Sequence, residues 1–470
     1  MSEHRPNENS KNTGSSGLNH GLSRRKLLQL SGALASAAVA APILAACGDN
    51  TATTAPAATS ASSPAAGATS AATSKAASSS GGTLVVYWNP GHAYDIYKQV
   101  IAKFEQDHPG WKVQWEKYQW PDMRTKVLAN FAVGTVPDLI EEPGGWVPEF
   151  ALQDKILSLQ PYIESDGKSM GFPDDWQTYT VKRNTINGQV YGIQLHSTCT
   201  LLFYNKDLFS KAKISNPPTN WNEFLDAAKA TTQGSSVFGF APNQDYGYTW
   251  PWLLQNQVKY YNPDTKKLGF DNEDAYAAMQ FQADLIHKYK VAPIPVSSAD
   301  YEGPQKLFSA NRTAMIITGP WDLLPIQKGS PNLNWAIAPA LTGKIQATNA
   351  AGTSLFIPKG AKNPDLSWDL IKRFTALEVE LAATKEANMT MPRKSWAANP
   401  DVQANQLIAP FAKGLGYAVD SAADIALTGN KYSQIDPLFQ QMYQSVIYKN
   451  VPAKDALQQL ETAGNKILAS

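Results

Sequence analysis

The sequence predicts an α/β chain of two lobes, on three observations. At 470 residues the chain is too long for one ordinary core. From Thr83 onward, β-branched and aromatic runs alternate with segments of helical spacing, the pattern of βαβ units with a parallel sheet. Between two such regions, Asn187 to Phe209 reads as a turn and two strands in close succession, placed to carry the chain from one lobe to the other.

The first 82 residues stand apart. Ser23-Arg24-Arg25-Lys26-Leu27-Leu28 follows a polar leader and opens an Ala-rich apolar run that ends at Ala46. A charged region, an apolar region and small residues at its end make a secretory signal, and the paired arginines resemble a twin-arginine signal. Gln29, Ser31, Ser36 and Pro42 interrupt the run, which argues against a permanent span. Leu44-Ala45-Ala46-Cys47 looks like a bacterial lipobox, implying cleavage before Cys47 and lipidation of its sulfur. Residues 1–46 are therefore expected to be a signal peptide. Residues 47–82 are expected to be a lipidated Cys and a disordered tether of Ala, Thr, Ser, Gly and Pro, whose composition buries too little apolar surface to order. Such a tether spans about 30 Å root-mean-square.

The body follows in order. Thr83 to Trp88 is a strand broken by Asn89-Pro90-Gly91; Ile96, Tyr97, Val100, Ile101 and Phe104 recur at helical spacing; Val113 and Trp115 lie on a second strand. Met123 to Phe131 reads as helix, Leu139-Ile140 as strand, Trp146 to Gln153 as helix. Ligands of open α/β sheets bind beyond the carboxyl ends of strands, which points to Trp88, Asn89, Glu141, Glu142 and the neighbouring Trp146. In the crossing stretch, Asn187-Gly188 suits a tight turn. Apolar Val190, Ile193 and Leu195 alternate with polar Gln194 and His196, so one face is expected to be packed and the other wet; Leu201 to Tyr204 suits a strand buried on both faces. Helix is expected over Trp221 to Ala230 with Thr219 or Asn220 as N-cap, over Ala275 to Lys288, over most of Trp368 to Glu386, and as two helices from Ile435 to Leu468. Phe238 to Phe240, Ala336 to Ala338 and Leu355 to Ile357 read as strands, and Asn243 to Trp252 as a dense aromatic loop.

Forty-one basic residues against 40 acidic leave no basic field for nucleic acid. The two cysteines, Cys47 and Cys199, cannot build a disulfide framework, and Cys199 reads as a buried thiol acting as a small hydrophobe. Six His, two of them (His4, His20) in the leader, show no paired spacing, so neither a metal site nor a cofactor is expected.

Six segments in order, behind the lipobox, resemble the extracellular solute-binding proteins of ABC importers, the large family that includes maltose-binding protein: Val136-Pro137-Asp138, Gly188 with Tyr191-Gly192-Ile193, Tyr204 to Phe209, Trp221-Asn222-Glu223, Arg312 to Met315 with Gly319-Pro320-Trp321, and Pro358-Lys359-Gly360. The resemblance implies a two-lobed periplasmic-binding-protein-like fold of type II, with the ligand cleft between lobes joined by crossing hinge segments. Lobe one would hold 83–193 plus about 352–385; lobe two would hold 202–347 plus about 386–470. It implies no catalysis: a monomer, lipid-anchored outside the cytoplasm at the cell surface or in the periplasm, would capture a sugar and deliver it to a membrane permease. By the same resemblance Trp321 matches a position that stacks on sugar rings, the Asp245 to Pro251 loop an aromatic wall carrying a carboxylate, and Glu141 or Glu142 a polar contact. Ala351-Gly352-Thr353 departs from a more usual Gly-Gly.

Sugars present apolar ring faces and many hydroxyls, which aromatic planes and carboxylates or amides answer. The candidate ligand residues are Trp88, Asn89, Glu141, Glu142, Trp146, His196, Asp245, Tyr246, Tyr248, Trp250, Trp321, Thr353 and Arg393. A polyamine binder on the same fold remains the alternative. A glycoside-active enzyme is disfavoured, because adjacent Glu141 and Glu142 on a strand face opposite ways and cannot flank one bond.

Overall fold

The computed structural model describes residues 81–295, 303–421, 428 and 431–470. The signal, Cys47 and nearly all of the tether lie outside the described residues. Among the described residues no helix is long and apolar enough to cross a membrane.

Two sheets organise the chain. The first begins with β1 (Gly82–Trp88), which pairs in parallel with both β2 (Trp111–Lys117) and β3 (Leu139–Glu142). Right-handed crossovers need a helix between parallel strands, and α1 (Asp95–Asp107) and α2 (Trp120–Val133) supply them. A third helix, α3 (Trp146–Leu152), follows β3 directly. The chain then reaches β4 (Ile193–Cys199), turns at Thr200, and enters the second sheet as β5 (Leu201–Asn205). There β5 is flanked by β7 (Thr313–Thr318) and β8 (Trp335–Ala338), with β6 (Phe238–Phe240) at one edge. From β8 the chain returns as β9 (Thr348–Phe356), which is antiparallel to both β3 and β4 and so joins the first sheet. The expected crossing stretch is therefore found where two antiparallel strands pass between the sheets side by side. They are tied at the crossing, where the Thr348 hydroxyl donates to the Thr200 carbonyl at 2.5 Å.

Local signals explain most boundaries. The helix Trp221–Thr231 starts at Asn220, whose side chain accepts the Glu223 amide, while Glu223 Oε2 accepts the amide and hydroxyl of Thr219. Asn205 similarly caps Lys206–Lys211 by accepting the Leu208 amide. Cys199 is fully buried, and burial raises its thiol pKa, as suits an inert packing residue.

Two expectations are corrected. β4 has no wet face: all seven residues are buried. Its polar side chains are answered within the protein, Gln194 by Asn184 and Ser354, His196 by Tyr97 and Thr353. Alternating polarity here marks a buried hydrogen-bonded layer, since burial of polar groups costs little once they are paired. The segment expected to open lobe two at about 386 packs first against the other lobe. Met389, Met391 and Trp396 share a core with Trp88 and Leu84, and the Ser197 amide donates to the Thr390 carbonyl. The helix Ala409–Gly414 then lays Phe411 against Phe203 of β5, and the last two helices, Tyr432–Tyr443 and Ala453–Ala469, join Phe240 and Trp252 in the second core. Helical periodicity shows that a face is apolar but not which sheet it covers.

One glycine is required by the crossing. Gly352 in β9 has φ +138°, and a Cβ there would stand 2.0 Å from the His196 carbonyl oxygen. The register shifts just beyond it, between Thr353 and Ser354, as a bulge beside a site commonly does. Gly352→Ala should destabilise the protein by about 3 kcal/mol or more, through strained φ and a backbone collision; a chemical-denaturation midpoint unchanged from the parent would contradict this.

Candidate functional site

The carboxyl end of β3 sets the site. Glu141 and Glu142 are adjacent, both fully buried, and point to opposite sides of the strand. On one side, Glu141 Oε2 accepts the Asn89 amide at 2.9 Å, and Oε1 meets His92 Nδ1 at 2.6 Å. His92 sits in the turn Pro90–His92, which Asn89 caps by accepting the Gly91 amide. The His196 ring packs against His92 with centroids 4.6 Å apart, and its Nδ1 is 3.7 Å from Glu141 Oε1. Burial, reinforced by His92, lowers the His196 pKa well below its ordinary value, so the ring is held neutral.

On the other side, Glu142 Oε2 accepts the amides of Gly144 and Trp146 at 2.8 and 3.0 Å. Gly144 and Gly145, at φ +89° and +125°, curl the chain so that both amides reach it. Burial raises the Glu142 pKa to about 7 despite these donors and the nearby Arg183. Arg183 binds Asp420 through Nε and Nη2 at 3.0 and 2.7 Å, both residues being buried.

Trp146 starts α3 and carries the site outward. Trp120 meets it edge-on at 6.4 Å and lies 5.8 Å from the His92 ring. The Arg124 guanidinium is 5.5 Å from the Trp146 ring and pairs with Glu149 at 2.7 Å. On the second lobe the hydroxyls of Tyr246 and Tyr432 both donate to Asp436. Burial and the Asp436 charge hold the Tyr432 phenol above its ordinary range. Several buried polar atoms have no partner among the described residues: Arg124 Nη1, Glu142 Oε1, Arg183 Nη1 and, on the second lobe, Gln244 Oε1 and Trp321 Nε1.

The structure brings Glu141, Glu142, Trp146, His196 and Thr353 together, with Asn89 supplying the turn. Tyr246 lies in the second lobe, its ring stacked on Phe439. Asp245 caps the turn Tyr246–Thr249 by accepting the Gly247 amide, and burial together with the Asp436 charge raises its pKa. Tyr248 lines a small hollow inside the second lobe with Phe240, Asn243 and Tyr443. Trp321 follows β7 and folds its ring over Gly319.

Three expected ligand residues belong to the interior instead. Trp88 has no exposure and packs between Trp115, Tyr97 and Phe374. Trp250 is 5% exposed among Tyr260, Phe270 and Phe439. Arg393 lies 3.9 Å over the Trp176 ring and binds the Met170 and Thr375 carbonyls and Asp175, all away from the second lobe. A strand end and an aromatic cluster raise the chance of a ligand contact, but large aromatics fill cores by the same chemistry. Conversely His92, Trp120, Arg124, Arg183 and Asp420 come to the site unannounced. Trp120 stands at the start of α2, beyond the carboxyl end of β2, so the rule that flagged Trp88 could have flagged it. Nothing local distinguishes the others.

The sequence profile described as "Bacterial extracellular solute-binding protein" matches residues 89–404. A binding protein of Brucella abortus is 27% identical over 284 residues, 58% of this chain and 67% of the relative. The galactooligosaccharide-binding protein of Bacillus subtilis is 26% identical over 337 residues, 68% of this chain and 76% of the relative. An ABC transporter solute-binding protein of Thermotoga lettingae, solved with alpha-D-tagatose, superposes with a TM-score of 0.72 at 24% identity, covering 83% of this chain and 99% of that one.

Arg183→Met removes the guanidinium from two hydrogen bonds to buried Asp420. Stability should fall by about 3–5 kcal/mol, read as a lower urea midpoint with unchanged slope; a shift under ~1 kcal/mol would show that the pair is replaceable.

Proposed function

The chain belongs to the bacterial extracellular solute-binding proteins, and we propose from this that it captures a sugar, a mono- or oligosaccharide, between its lobes and hands it to an ABC permease. The observation that carries the choice of sugar is the pairing of indoles with buried polar atoms that have no partner among the described residues: Trp146, edge-on to Trp120, stands beside Arg124 Nη1 and Glu142 Oε1. A buried polar atom without a partner costs about 1–3 kcal/mol, and a polyhydroxylated ring offers donors and acceptors to such atoms while its apolar face covers the indoles. The sugar-binding relatives support the same choice. The candidate contacts are Glu142, Trp146, Arg124, Arg183, Tyr246 and Trp321, with Glu141, His196 and Thr353 behind them.

The same reading makes the protein a carrier without catalysis, a monomer anchored through lipidated Cys47 on the outer side of the cell membrane. The lipobox and the matching extracellular family support this placement. Closure on the solute bends the chain at the paired crossing of Thr200 and Thr348, where two strand ends pass between the sheets side by side. A cleft carrying several carboxylates against aromatics also suits a polyamine, but the cations Arg124 and Arg183 beside Glu142 disfavour a polycation.

Titration with mono- and oligosaccharides should raise the melting temperature and change tryptophan fluorescence. Trp146→Ala should weaken binding at least about tenfold, or ~1.4 kcal/mol, with the fold retained by circular dichroism. Stabilisation by spermidine but by no sugar would reverse the choice of solute.

A further inference from the structure

We propose that His92, Glu141 and His196 form a site for one divalent transition-metal ion, of the class of zinc, cobalt or nickel, in the wall of the first lobe. The proposal goes beyond solute capture and stands whatever the solute is.

Each of the three residues can offer one donor atom such that all three atoms lie within 4.8 Å of one another. They come from separate elements: the turn after β1, the end of β3, and β4. Convergence of two imidazoles and one carboxylate suits first-row transition metals, whereas calcium and magnesium prefer all-oxygen sets. Three protein donors leave a further coordination position for water or solute.

The surroundings orient the donors. Glu141 Oε2 is occupied by the Asn89 amide, which leaves Oε1 turned toward both rings. His196 Nε2 contacts the Tyr97 hydroxyl at 2.9 Å, so Nδ1 is the atom that faces Glu141. An outer hydrogen bond on the far ring nitrogen is how metal-binding histidines are usually held. Thr353 Oγ1 lies 2.8 Å from the same Nδ1 and must turn aside. Donors around a tetrahedral ion with bonds of about 2.0–2.1 Å stand roughly 3.3 Å apart. The Oε1–His196 separation of 3.7 Å is close to this, and the 2.6 Å approach of His92 must lengthen. His92 is the member free to move, at 16% side-chain exposure against 1% for His196 and none for Glu141.

The test is titration of the chelator-treated full chain with Zn²⁺ by calorimetry and with Co²⁺ by visible absorption. One equivalent should bind saturably and raise the melting temperature. His92→Ala, which also takes from Glu141 Oε1 its imidazole partner, should fold with native circular dichroism at a lower melting temperature and lose at least ~10–100-fold in affinity. Glu141→Gln should do the same to affinity, and His108→Ala, which removes the His108–Asp369 pair elsewhere on this lobe, should leave it unchanged. Absence of a saturable equivalent would overturn the proposal. So would binding that survives in both His92→Ala and Glu141→Gln. Sugar titration of the metal-free protein reads the solute site separately, so failure of one proposal leaves the other standing.

Discussion

The antiparallel pairing of β4 with β9 is the constraint on which the rest depends. Both strands belong to the first sheet and both continue into the second, so their ladder fixes the relative position of the lobes at one end. The ladder needs Gly352, because the His196 carbonyl occupies the space a side chain would take. The ladder sets His196 opposite Thr353 just before its register shifts, and β9 on its other edge pairs with β3 at Glu141 and Glu142. Backbone hydrogen bonds thus deliver both carboxylates and His196 to the same place without any long side chain having to reach.

The two carboxylates then divide the wall between them. Glu141 is satisfied by the Asn89 amide and the His92 ring and faces inward, where a network of imidazole, phenol and hydroxyl groups backs it. Glu142 is half satisfied, with one oxygen on two amides and the other without a partner among the described residues. Alternation along a strand makes such a division automatic. A buried polar atom left unpaired costs stability, which a partner at Glu142 Oε1 would restore.

The legibility of the chain follows a physical line. Strand and helix positions depend on local periodicity and capping, and these were readable: the first three strands, the Asn220 cap, the doubly buried strand at Leu201 and the two final helices all stand close to their expected places. The candidate site was half readable. Strand ends pointed to Glu141, Glu142 and Trp146, but the same rule placed Trp88 in the cleft, where its ring instead fills the first core. His92 and His196 looked unrelated because their spacing in the chain is long, and no motif links residues joined only by sheet pairing. For the same reason nothing local shows that residues 389–396 pack on the first lobe before the chain reaches the second.

The sequence by itself determined an α/β chain of two lobes, the crossing at Asn187 to Phe209, and the chemistry available at the strand ends, because each rests on interactions among near neighbours. Only the tertiary structure decided which aromatics are walls and which are core, which face of each helix meets which sheet, and that two distant histidines share Glu141. Those outcomes depend on competition among many apolar surfaces for burial and on long-range strand pairing, and neither leaves a local mark on the residues concerned.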